Sequence, residues 1–271
     1  MLRAGQMAGF QERVWDFYHD HGRHELPWRR DITPYGVLVS EVMLQQTQVT
    51  RVLVKYDEWL TAFPGFAELA VASGSEVLAA WQGLGYNRRG MWLREAARRV
   101  MEDYGGQLPN DPAELVKLPG IGPNTAGSIA AFAYNEPVVF IETNIRRVFI
   151  HEFFPETEGG EPVSDASLRP LIEGALDREH PREWYWALMD YGSWLARQVS
   201  NQNRRSKHYA RQSTFEGSVR QIRGEVLRQL LGGPKLEQEF IIADSRLPDT
   251  LAGLAKDGLV RLEGGRWQLC D

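Results

Sequence analysis

Glu41 is the first residue of the sequence whose type and surroundings point to chemistry. It stands in a strongly apolar segment, beside Val42, Met43 and Leu44. Apolar surroundings disfavour the charged form of a carboxyl group, so we expect the pKa of Glu41 to be raised. Such a group keeps its proton near neutral pH and can give it to a substrate as a general acid. An exposed surface glutamate is the alternative interpretation.

The sequence LPGIG at residues 118–122 predicts a glycine hairpin between two short helices. The backbone N–H groups that begin the second helix then have no partners within that helix. Together with the helix dipole they form a site for an anion such as a phosphate. Glycine in a helix–helix turn is also a common structural device, so the hairpin alone leaves both interpretations open.

The elements that must position these residues have the apolar spacing of helices through the first two hundred residues. Thr33 predicts a cap, the helical pattern continues over residues 34–63, and Pro64-Gly65 breaks it. Further helices are predicted before the glycines at 83 and 85, up to the glycines at 105 and 106, and on both sides of the hairpin. No sustained strand alternation appears before the C-terminus, so we predict an all-α fold.

The last fifty residues have a different pattern. An amphipathic helix over 219–231 is followed by a second helical element from Pro248 to Lys256 and by two short strands around Gly264-Gly265. Helices followed by a β-hairpin are typical of a winged-helix module. Such a module either contacts DNA or packs on the body of the protein, and the sequence leaves both possibilities open.

Length and composition exclude several classes of protein. The 271 residues are 43% hydrophobic and 25% charged, which is ordinary for a globular chain and excludes disorder throughout. No apolar run approaches the roughly 20 residues of a membrane helix, and the first residues show no secretory signal, so we expect a cytoplasmic protein. The single cysteine, Cys270, excludes a disulfide framework and any iron–sulfur or zinc site built from several thiolates.

The net charge of −5 does not by itself suggest a nucleic-acid partner, but the basic residues are clustered. Residues 201–228 contain seven lysines and arginines against two acidic residues. A second cluster, opposed only by Glu95, consists of Arg88, Arg89, Arg94, Arg98 and Arg99. Local basic clusters on an acidic chain fit a face that binds a polyanion, and solvated helix faces are the alternative.

Five motifs in a fixed order carry a resemblance to a known family. They are LPWR (26–29), SEVMLQQTQV (40–49), WQGLGY (81–86), LPGIGPNTAGSI (118–129) and ETNIRRV (142–148). Together they closely resemble the helix-hairpin-helix DNA glycosylases, and within these the MutY-type adenine glycosylases, over about residues 10–191. The resemblance implies two helical lobes, with the hairpin in one of them. It also implies a cleft that takes kinked DNA with the target nucleotide flipped into a pocket.

The resemblance implies three catalytic residues for the hydrolysis of an N-glycosidic bond. Glu41 matches the glutamate that protonates the flipped base. Glu142 matches the carboxylate that faces the developing oxocarbenium ion, where the family normally has aspartate, and Asn144 is expected to orient that carboxylate or the local turn. The extra methylene of Glu142 moves its oxygens by up to about 1.5 Å, so a catalytic role and a helix-capping role both stay open.

The same resemblance implies a set of DNA-contacting residues. Gln45 and Gln46 match residues that enter the duplex, and Tyr86 is expected to stack nearby. Asn124 stands where strand-cleaving relatives have a nucleophilic lysine, which indicates a monofunctional enzyme that uses water. The complete predicted set is Gln45, Gln46, Tyr86, Arg88, Gly120, Gly122, Asn124, Thr125, Arg204, Arg205 and Lys207.

Two parts of typical MutY-type enzymes are expected to be missing here. The four cysteines of the family's iron–sulfur cluster are replaced by a basic and aromatic segment with Arg204, Arg205, Lys207, His208, Tyr209 and Arg211. We therefore expect no cofactor and no metal, and phosphate contacts from the basic residues instead. The winged-helix-like residues stand in place of the domain that reads 8-oxoguanine. The predicted organisation is a glycosylase domain at 1–200, a basic linker at 201–217 and a winged-helix-like module at 218–271.

The sequence thus predicts a monomeric, nucleoid-associated glycosylase of base excision repair that acts on mismatched or damaged double-stranded DNA. The target expected first is adenine opposite guanine or 8-oxoguanine. Thymine, uracil or another deaminated base opposite guanine is the second possibility, and a non-catalytic DNA-binding protein of the same fold is the third. Glu41 favours the first, because its counterpart in the family protonates a purine.

Overall fold

The computed structural model describes residues 4–154, 161–209 and 214–270 of the chain. Within these ranges the chain forms fourteen α-helices, two short 3-10 helices and one antiparallel pair of strands. The predicted all-α fold with a small C-terminal hairpin is confirmed. None of the described helices combines the length and the apolar character needed to cross a membrane.

The elements follow one another in two groups along the chain. The helices of the first group are α1 (Ala4–His21), α2 (Pro27–Arg30), α3 (Pro34–Leu44), α4 (Val49–Ala62), α5 (Phe66–Val71), α6 (Gly74–Ala80), α7 (Arg88–Asp103), α8 (Pro112–Leu115), α9 (Pro123–Tyr134), α10 (Thr143–Phe153), α11 (Asp165–Ala175) and α12 (Pro181–Gln198), with a 3-10 helix at Gln202–Arg205. The second group consists of α13 (Val219–Leu230), a 3-10 helix at Glu237–Glu239, α14 (Leu247–Lys256), β1 (Val260–Glu263) and β2 (Arg266–Leu269).

The chain divides into two compact units. Among the described residues, unit 1 takes those of 1–37, 110–116 and 122–211, and unit 2 takes those of 38–109, 117–121 and 212–271. This division differs from the predicted domains, whose boundaries lie at 200 and 217. The described residues of 212–271 are part of unit 2, where the C-terminal helices share a core with Leu78 of α6.

Aromatic side chains form the core of unit 1, where α1, α10 and α12 pack together. Phe10 of α1 meets Phe149 of α10 edge-on, with ring centroids 5.3 Å apart, and it meets Trp184 of α12 at 6.1 Å. All three side chains are buried. This core holds α10, the helix that begins directly after Glu142.

A buried ion pair in unit 1 explains the LPWR motif. Arg29 donates to both carboxylate oxygens of Asp190 in α12, at 2.7 and 3.0 Å. Arg23 donates to the same carboxylate through its Nε at 2.6 Å and its backbone N–H at 2.7 Å. Burial acts to raise the pKa of Asp190, but the hydrogen bonds and charges of the two arginines outweigh it and hold the pKa below its ordinary value. The motif therefore ties the N-terminal helices to α12.

Unit 2 contains two tryptophans at its centre. Trp59 of α4 and Trp81 meet edge-on with ring centroids 5.3 Å apart, and both are fully buried. Gly90 of α7 lies against the Trp81 ring, where a Cβ atom would come within 2.9 Å of a ring carbon. The indole N–H of Trp81 donates to the carbonyl of Gly85 at 3.0 Å. The WQGLGY motif thereby fixes the turn that leads to Tyr86.

The C-terminal segment belongs to the core of unit 2. The helices α13 and α14 and the strand pair bury apolar side chains together with Leu78 of α6. The strands are antiparallel with Val260 opposite Leu269, and Gly264 and Gly265 form the turn at φ angles of +56° and +78°. The order helix, helix, β-hairpin confirms the elements predicted for this segment. Its packing with the rest of unit 2, one of the two possibilities predicted for it, is observed.

One predicted helix is two helices in the structure. The helix α3 ends at Leu44 and α4 begins at Val49, whereas the sequence pattern predicts helix throughout 34–63. The backbone of Gln46 is left-handed, with a φ angle of +56°, and so cannot continue an α-helix. The prediction was wrong because the apolar spacing continues across the loop. The last carbonyls of α3 accept hydrogen bonds from Arg89, which lies far away in the sequence and gives no local signal.

Candidate active site

Glu41 lies on α3 in unit 2, among buried neighbours. Val42 and Met43 are exposed to only 3% and 0%, and Ser40 to 2%, while Glu41 itself is half-buried. The residues on either side of Glu41 in α3 are therefore buried, and the role of its carboxyl group as a proton donor stays a prediction. A carboxyl group in such surroundings is suited to carry a proton to a substrate.

Glu142 is the N-cap residue of α10 in unit 1. Its backbone is extended, and its Oε1 atom accepts hydrogen bonds from the N–H groups of Asn144 and Ile145 at 2.7 and 3.1 Å. These donors belong to the first helical turn, where N–H groups have no partners within the helix. The capping interpretation of Glu142 is therefore confirmed. It is compatible with the catalytic interpretation, because both bonds are accepted by the same carboxylate oxygen.

The ionisation of Glu142 is set by opposing influences. Burial raises the pKa of this carboxyl group, while the two capping N–H groups and the charges of Arg147 and Arg146 lower it. Burial is the larger influence, so the pKa lies above its ordinary value. Glu142 consequently takes up its proton at a higher pH than an exposed glutamate does.

The backbone N–H of Asn144 donates a hydrogen bond to Glu142, while the side chain of Asn144 makes a separate contact. Its Oδ1 atom accepts a hydrogen bond from Arg147 Nη1 at 2.6 Å, and the same nitrogen donates to the carbonyl of Gly192 at 2.8 Å. Gly192 of α12 lies so close that a Cβ atom there would come within 2.6 Å of the Asn144 carbonyl oxygen. Arg147 and Gly192, neither of them predicted as site residues, thus hold the first turn of α10 against α12.

The segment after α12 holds the same turn. Asn203 is buried in its 3-10 helix and donates through Nδ2 to the carbonyl of Thr143 at 3.2 Å. Gln202 and Ser206 are buried as well. The cluster cysteines of the family are expected in this segment, and the amides and hydroxyl found here do not fit an iron–sulfur cluster. Side-chain hydrogen bonds anchor the segment to α10 instead.

The predicted phosphate-binding residues of this segment differ in exposure. Arg204 and Lys207 are exposed. Arg205 is half-buried and donates to the carbonyl of Phe154 at 3.0 Å and to Gln202 Oε1 at 2.9 Å. Arg204 and Lys207 are therefore better placed for phosphate contacts than Arg205, which stabilises the segment itself. Arg211, the last member of the predicted basic segment, lies outside the described residues.

Glycine stands at the two hairpin positions, 120 and 122, for different reasons. Gly120 has a φ angle of +78°, and a Cβ atom there would lie 3.1 Å from the Trp92 side chain, so the protein itself requires glycine. Gly122 has a φ angle of −86°, which any residue adopts, and a Cβ atom there would meet nothing within 4 Å among the described residues. Nothing in the described protein therefore requires glycine at position 122. Such a glycine is expected where the backbone must approach an external ligand closely.

Asn124 connects the start of α9 to the residue before Glu142. Its Oδ1 atom accepts a hydrogen bond from the N–H of Ile141 at 3.1 Å. Thr125 follows in the first turn of α9, where proline takes the first position and no side chain caps the helix. The side chain of Asn124 therefore stabilises the backbone just before Glu142. Its amide is not a nucleophilic amine.

Gln45, Gln46 and Tyr86 lie on two loops of unit 2. Gln46 and Tyr86 have φ angles of +56° and +49°, which are uncommon for residues with side chains. Within the described ranges, Asn135 is the only other residue besides glycines with a positive φ angle. Backbone strain of this kind persists only where the surroundings hold it, and it is concentrated at functional sites.

Arg89, predicted only as a member of a basic cluster, holds these two loops. It is 5% exposed, and desolvation lowers its pKa to about 10, so it stays charged at neutral pH. Its guanidinium group donates to the end of α3 and to both loops. The acceptors are the carbonyls of Val42, Met43, Gln45, Leu84 and Gly85 and the hydroxyl of Thr47. Buried guanidinium groups of this kind leave no sequence motif beyond the arginine itself.

The members of the second basic cluster differ in burial and in their partners. Arg89 and Arg94 are buried. Arg94 and Arg98 donate to carbonyl groups at the end of α5, at 3.3 and 2.8 Å, and Arg99 is paired with an aspartate of its own helix. Their charges satisfy helix-terminal carbonyls or a neighbouring acid, and binding of a polyanion by this cluster stays a prediction. Arg88 is the member that remains as a predicted DNA contact.

A pocket of about 370 Å³ in unit 2 brings four predicted DNA-contacting residues together, namely Gln45, Gln46, Tyr86 and Arg88. Trp92 of α7 also lines it, and the guanidinium carbon of Arg88 lies 4.7 Å from the centroid of that ring. Amides, aromatic faces and cations are the groups that bind bases and phosphates of nucleic acids. The pocket therefore has the composition of a nucleic-acid contact.

Known proteins match both the sequence and the fold. Residues 39–171 match the family described as HhH-GPD superfamily base excision DNA repair protein. The adenine DNA glycosylase of Mycobacterium tuberculosis (strain CDC 1551 / Oshkosh) is 30% identical over 276 residues, which cover 93% of this chain and 91% of that protein. The adenine DNA glycosylase of Mus musculus is 35% identical over 247 residues, which cover 87% of this chain and 46% of that protein.

A solved structure has a similar fold. It is described as the structure of a thermostable thymine-DNA glycosylase, with a TM-score of 0.61 and 24% identity over 70% of this chain and 87% of that chain. This likeness concerns the fold alone, whereas the match to the mycobacterial protein extends along nearly the whole of both sequences. The chain therefore belongs to the adenine DNA glycosylase family, within the HhH-GPD superfamily of base excision DNA repair proteins.

Proposed function

We propose that this chain is a monofunctional DNA glycosylase that removes adenine opposite guanine or 8-oxoguanine. The observation that carries the proposal is Glu41, a half-buried carboxyl group among buried residues of α3. Release of a purine needs a proton on the departing base, and a carboxyl group in these surroundings supplies one. The adenine DNA glycosylase of Mycobacterium tuberculosis matches 93% of this chain.

The reaction breaks the bond between the base and C1′ of the sugar. Glu41 gives its proton to the purine ring, so the base leaves as a neutral molecule. The sugar becomes oxocarbenium-like, and the negative charge of Glu142 stabilises it in the transition state. Water adds to C1′ and its proton passes to a carboxylate, which leaves an abasic site and the free base.

Glu142 serves this reaction only in its ionised form. Because burial raises its pKa, the ionised fraction falls at a higher pH than for an exposed glutamate. We therefore expect the rate of base release to decrease as the pH falls through the raised pKa of Glu142. This decrease forms the acid side of the pH profile.

The monofunctional part of the proposal is supported by Asn124. Its Oδ1 atom accepts a hydrogen bond from the Ile141 N–H, and an amide cannot form the imine that strand cleavage requires. We expect strand breaks only after treatment with alkali, and no covalent complex when borohydride is added during the reaction. A borohydride-trapped complex between protein and DNA would contradict this part.

DNA binding is assigned to backbone and basic groups of unit 1. The N–H groups behind Gly122 at the start of α9 donate to a phosphate, and the exposed Arg204 and Lys207 add further phosphate contacts. In this proposal the protein acts as a monomer on double-stranded DNA of the nucleoid, without an iron–sulfur cofactor. Purified protein should be fully active with a chelator present, and stoichiometric iron in an active preparation would contradict the absence of a cluster.

A panel of labelled duplexes tests the target base. The panel contains adenine opposite guanine, adenine opposite 8-oxoguanine, thymine opposite guanine and uracil opposite guanine, and alkali converts each abasic site into a strand break. We expect breaks at adenine in the first two duplexes, and none with Glu41→Gln. Breaks at thymine or uracil alone would assign a deaminated base instead, and binding without breaks in any duplex would indicate a non-catalytic protein.

A further inference from the structure

The pocket that contains the predicted DNA contacts of unit 2 has a side made by the C-terminal segment. Its lining includes Arg220 and Arg223 of α13 and Asp257, the residue that follows α14. None of these three residues belongs to a motif that carries the family resemblance. The C-terminal segment therefore supplies charged groups to the pocket as well as packing in the core.

Arg220 fixes the side chain of Tyr86. Its Nη1 donates to the Tyr86 hydroxyl at 2.8 Å, and its guanidinium carbon lies 5.5 Å from the ring centroid. A hydrogen bond at the hydroxyl and a cation near the ring hold the aromatic group in one direction. Tyr86 is 38% exposed, so α13 sets the orientation of a ring that solvent and ligands can reach.

Arg88 and Arg223 share one carboxylate. Arg88 Nη1 and Arg223 Nη2 lie 3.1 and 2.6 Å from the two separate oxygens of Asp257. The lining of the pocket contains four arginines, Arg89 and Arg220 among them, and a single acidic residue. One carboxylate does not neutralise this charge. Two guanidinium groups that converge on a carboxylate have the arrangement that binds a phosphate.

We propose that this pocket binds a phosphodiester group of the DNA on Arg88 and Arg223, in place of Asp257, with the adjoining base against Tyr86. The inference rests on the proposed function, because it takes DNA as the ligand. In the absence of DNA, the carboxylate of Asp257 holds the two guanidinium groups and competes with the phosphate. The helix α13 is then a DNA-binding helix, and the pocket volume of about 370 Å³ is within the range of small-ligand sites.

The first test measures the duplex affinity of the full chain over a range of salt concentrations. Arg223→Gln should weaken binding about tenfold and reduce the slope of log affinity against log salt by about one, because a charged phosphate contact is lost. Arg223→Lys keeps the charge and should stay within a few-fold of wild type. The matched control is Arg228→Gln on the same helix, since Arg228 is paired with Glu225 and does not line the pocket. It should leave the slope unchanged.

The second test uses the sign of the effect at Asp257. If this carboxylate competes with the DNA phosphate, Asp257→Asn should strengthen duplex binding about threefold. If the carboxylate has only a structural role, Asp257→Asn should bind the duplex more weakly than wild type or equally well. Either result would overturn the proposal, provided that the variant has the melting temperature of wild type. Inorganic phosphate and a mononucleotide are added as competitors. If inorganic phosphate competes as strongly as the mononucleotide, the pocket is a site for free phosphate, which also overturns the proposal.

The third test reports on the base against Tyr86. A duplex with 2-aminopurine beside the mismatch should brighten on binding, as the base leaves the stack, and Arg220→Met should reduce that signal more than it reduces affinity. Tyr86→Phe keeps the ring and removes only the hydroxyl that accepts the hydrogen bond from Arg220. Its fluorescence signal should therefore lie between those of wild type and Arg220→Met. A wild-type signal in Arg220→Met would remove Arg220 as a positioning residue.

Base release on the same duplexes separates the two proposals. If wild type releases adenine while Arg223→Gln binds with wild-type affinity and salt slope, the pocket assignment is wrong and the proposed function stands. If wild type releases no base while Arg223→Gln still lowers the affinity and the slope, the proposed function is wrong and the pocket assignment stands.

Discussion

At the scale of single residues, the carboxylate of Glu142 accepts two backbone hydrogen bonds that hold the first turn of α10. In the proposed reaction the same carboxylate stabilises a developing cation. Substitutions can separate these tasks, because an amide keeps an acceptor oxygen without the charge and alanine has neither. The raised pKa of Glu142 adds pH as an independent variable.

Glu142→Gln should keep the cap and lose the reaction. Single-turnover base release should fall by at least about a hundredfold, with duplex affinity nearly unchanged, because the charge acts in the transition state. A group with a raised folded pKa contributes stability below its unfolded pKa, about 4.3, and that stability is lost as pH rises through the folded pKa. The glutamine variant should therefore gain stability over wild type at pH 7 and lose the gain at pH 4, which thermal unfolding measures.

Two further variants at this position act as controls. Glu142→Ala removes the cap as well as the charge, and its free energy of unfolding should lie about 1 kcal/mol below that of Glu142→Gln at both pH values. Glu142→Asp restores the residue that the family normally has, and it should release base more slowly than wild type if the backbone has adjusted to the longer side chain. Wild-type activity of Glu142→Gln would remove the residue from the mechanism.

Glu41→Gln should abolish base release while the duplex affinity stays within a few-fold of wild type. The amide keeps the shape of the side chain but cannot give up a proton. Glu58→Gln, at an exposed glutamate of α4 in the same unit, is the control and should behave as wild type. Activity near wild type in Glu41→Gln would contradict its assignment as the general acid.

At the scale of elements, the end of α3 determines where the loop with Gln45 and Gln46 begins. Arg89 donates to the carbonyls of Val42 and Met43 at 2.9 and 3.1 Å, in the last turn of α3. Carbonyl groups of a last turn have no partners within their own helix. The same guanidinium group donates to the turn before Tyr86. One side chain therefore sets the conformation of both loops of the pocket.

Arg89→Met should lower the free energy of unfolding by about 2–4 kcal/mol, because several buried carbonyls lose their donor at once. Duplex affinity should fall as well, since Gln46 and Tyr86 leave their strained backbone conformations. Arg99→Met on the same helix is the control, and its exposed pair with Asp103 is worth about 1 kcal/mol at most. Urea unfolding and duplex binding measure both effects, and a loss below about 1 kcal/mol in Arg89→Met would contradict the role of Arg89.

The helices that the sequence predicts well are those with local signals at their ends. The helix α7 ends before Gly105, α8 begins after the cap at Asp111, and α9 begins after the hairpin. The break between α3 and α4 has no such signal, since it depends on a left-handed Gln46 and on donors from Arg89 in another helix. Contacts between elements that are distant in sequence cannot be obtained from apolar spacing.

At the scale of the whole molecule, both units are assembled from separate parts of the chain. In unit 1, Arg23 and Arg29 meet Asp190 across separations of 167 and 161 residues. Closing such long loops is entropically costly, so the pairing is expected late in folding. The resemblance singles out the LPWR motif, but the acid that pairs with its arginine follows from the structure alone. Likewise, the contact of Asn203 with the turn after Glu142 has no signal in the sequence.

Asp190→Asn should lower the free energy of unfolding by about 3–5 kcal/mol at neutral pH, because two arginines lose a buried carboxylate. The folded pKa of Asp190 lies below its ordinary value, so its contribution is present above the unfolded pKa of about 3.9 and is lost as pH falls through the folded pKa. The difference between wild type and variant should therefore shrink in strong acid.

Asp103→Asn, at an exposed ion pair of α7, is the control for this experiment. Its effect should stay below about 1 kcal/mol and vary little with pH. Denaturant unfolding at neutral and at acid pH measures both variants. A constant difference between Asp190→Asn and wild type at all pH values would contradict the ionised state assigned to Asp190.

The capping role of Glu142 has a consequence for heredity. Asparagine, serine, threonine and aspartate all cap helices, so many codon changes at this position leave a protein that folds. Among them only aspartate retains the charge that the proposed reaction uses. A neutral capping residue at 142 would yield a stable protein that still occupies mismatches without repairing them. Such an allele should act dominantly, raising the mutation frequency of cells that also carry an intact copy, whereas an allele that unfolds the protein should be recessive.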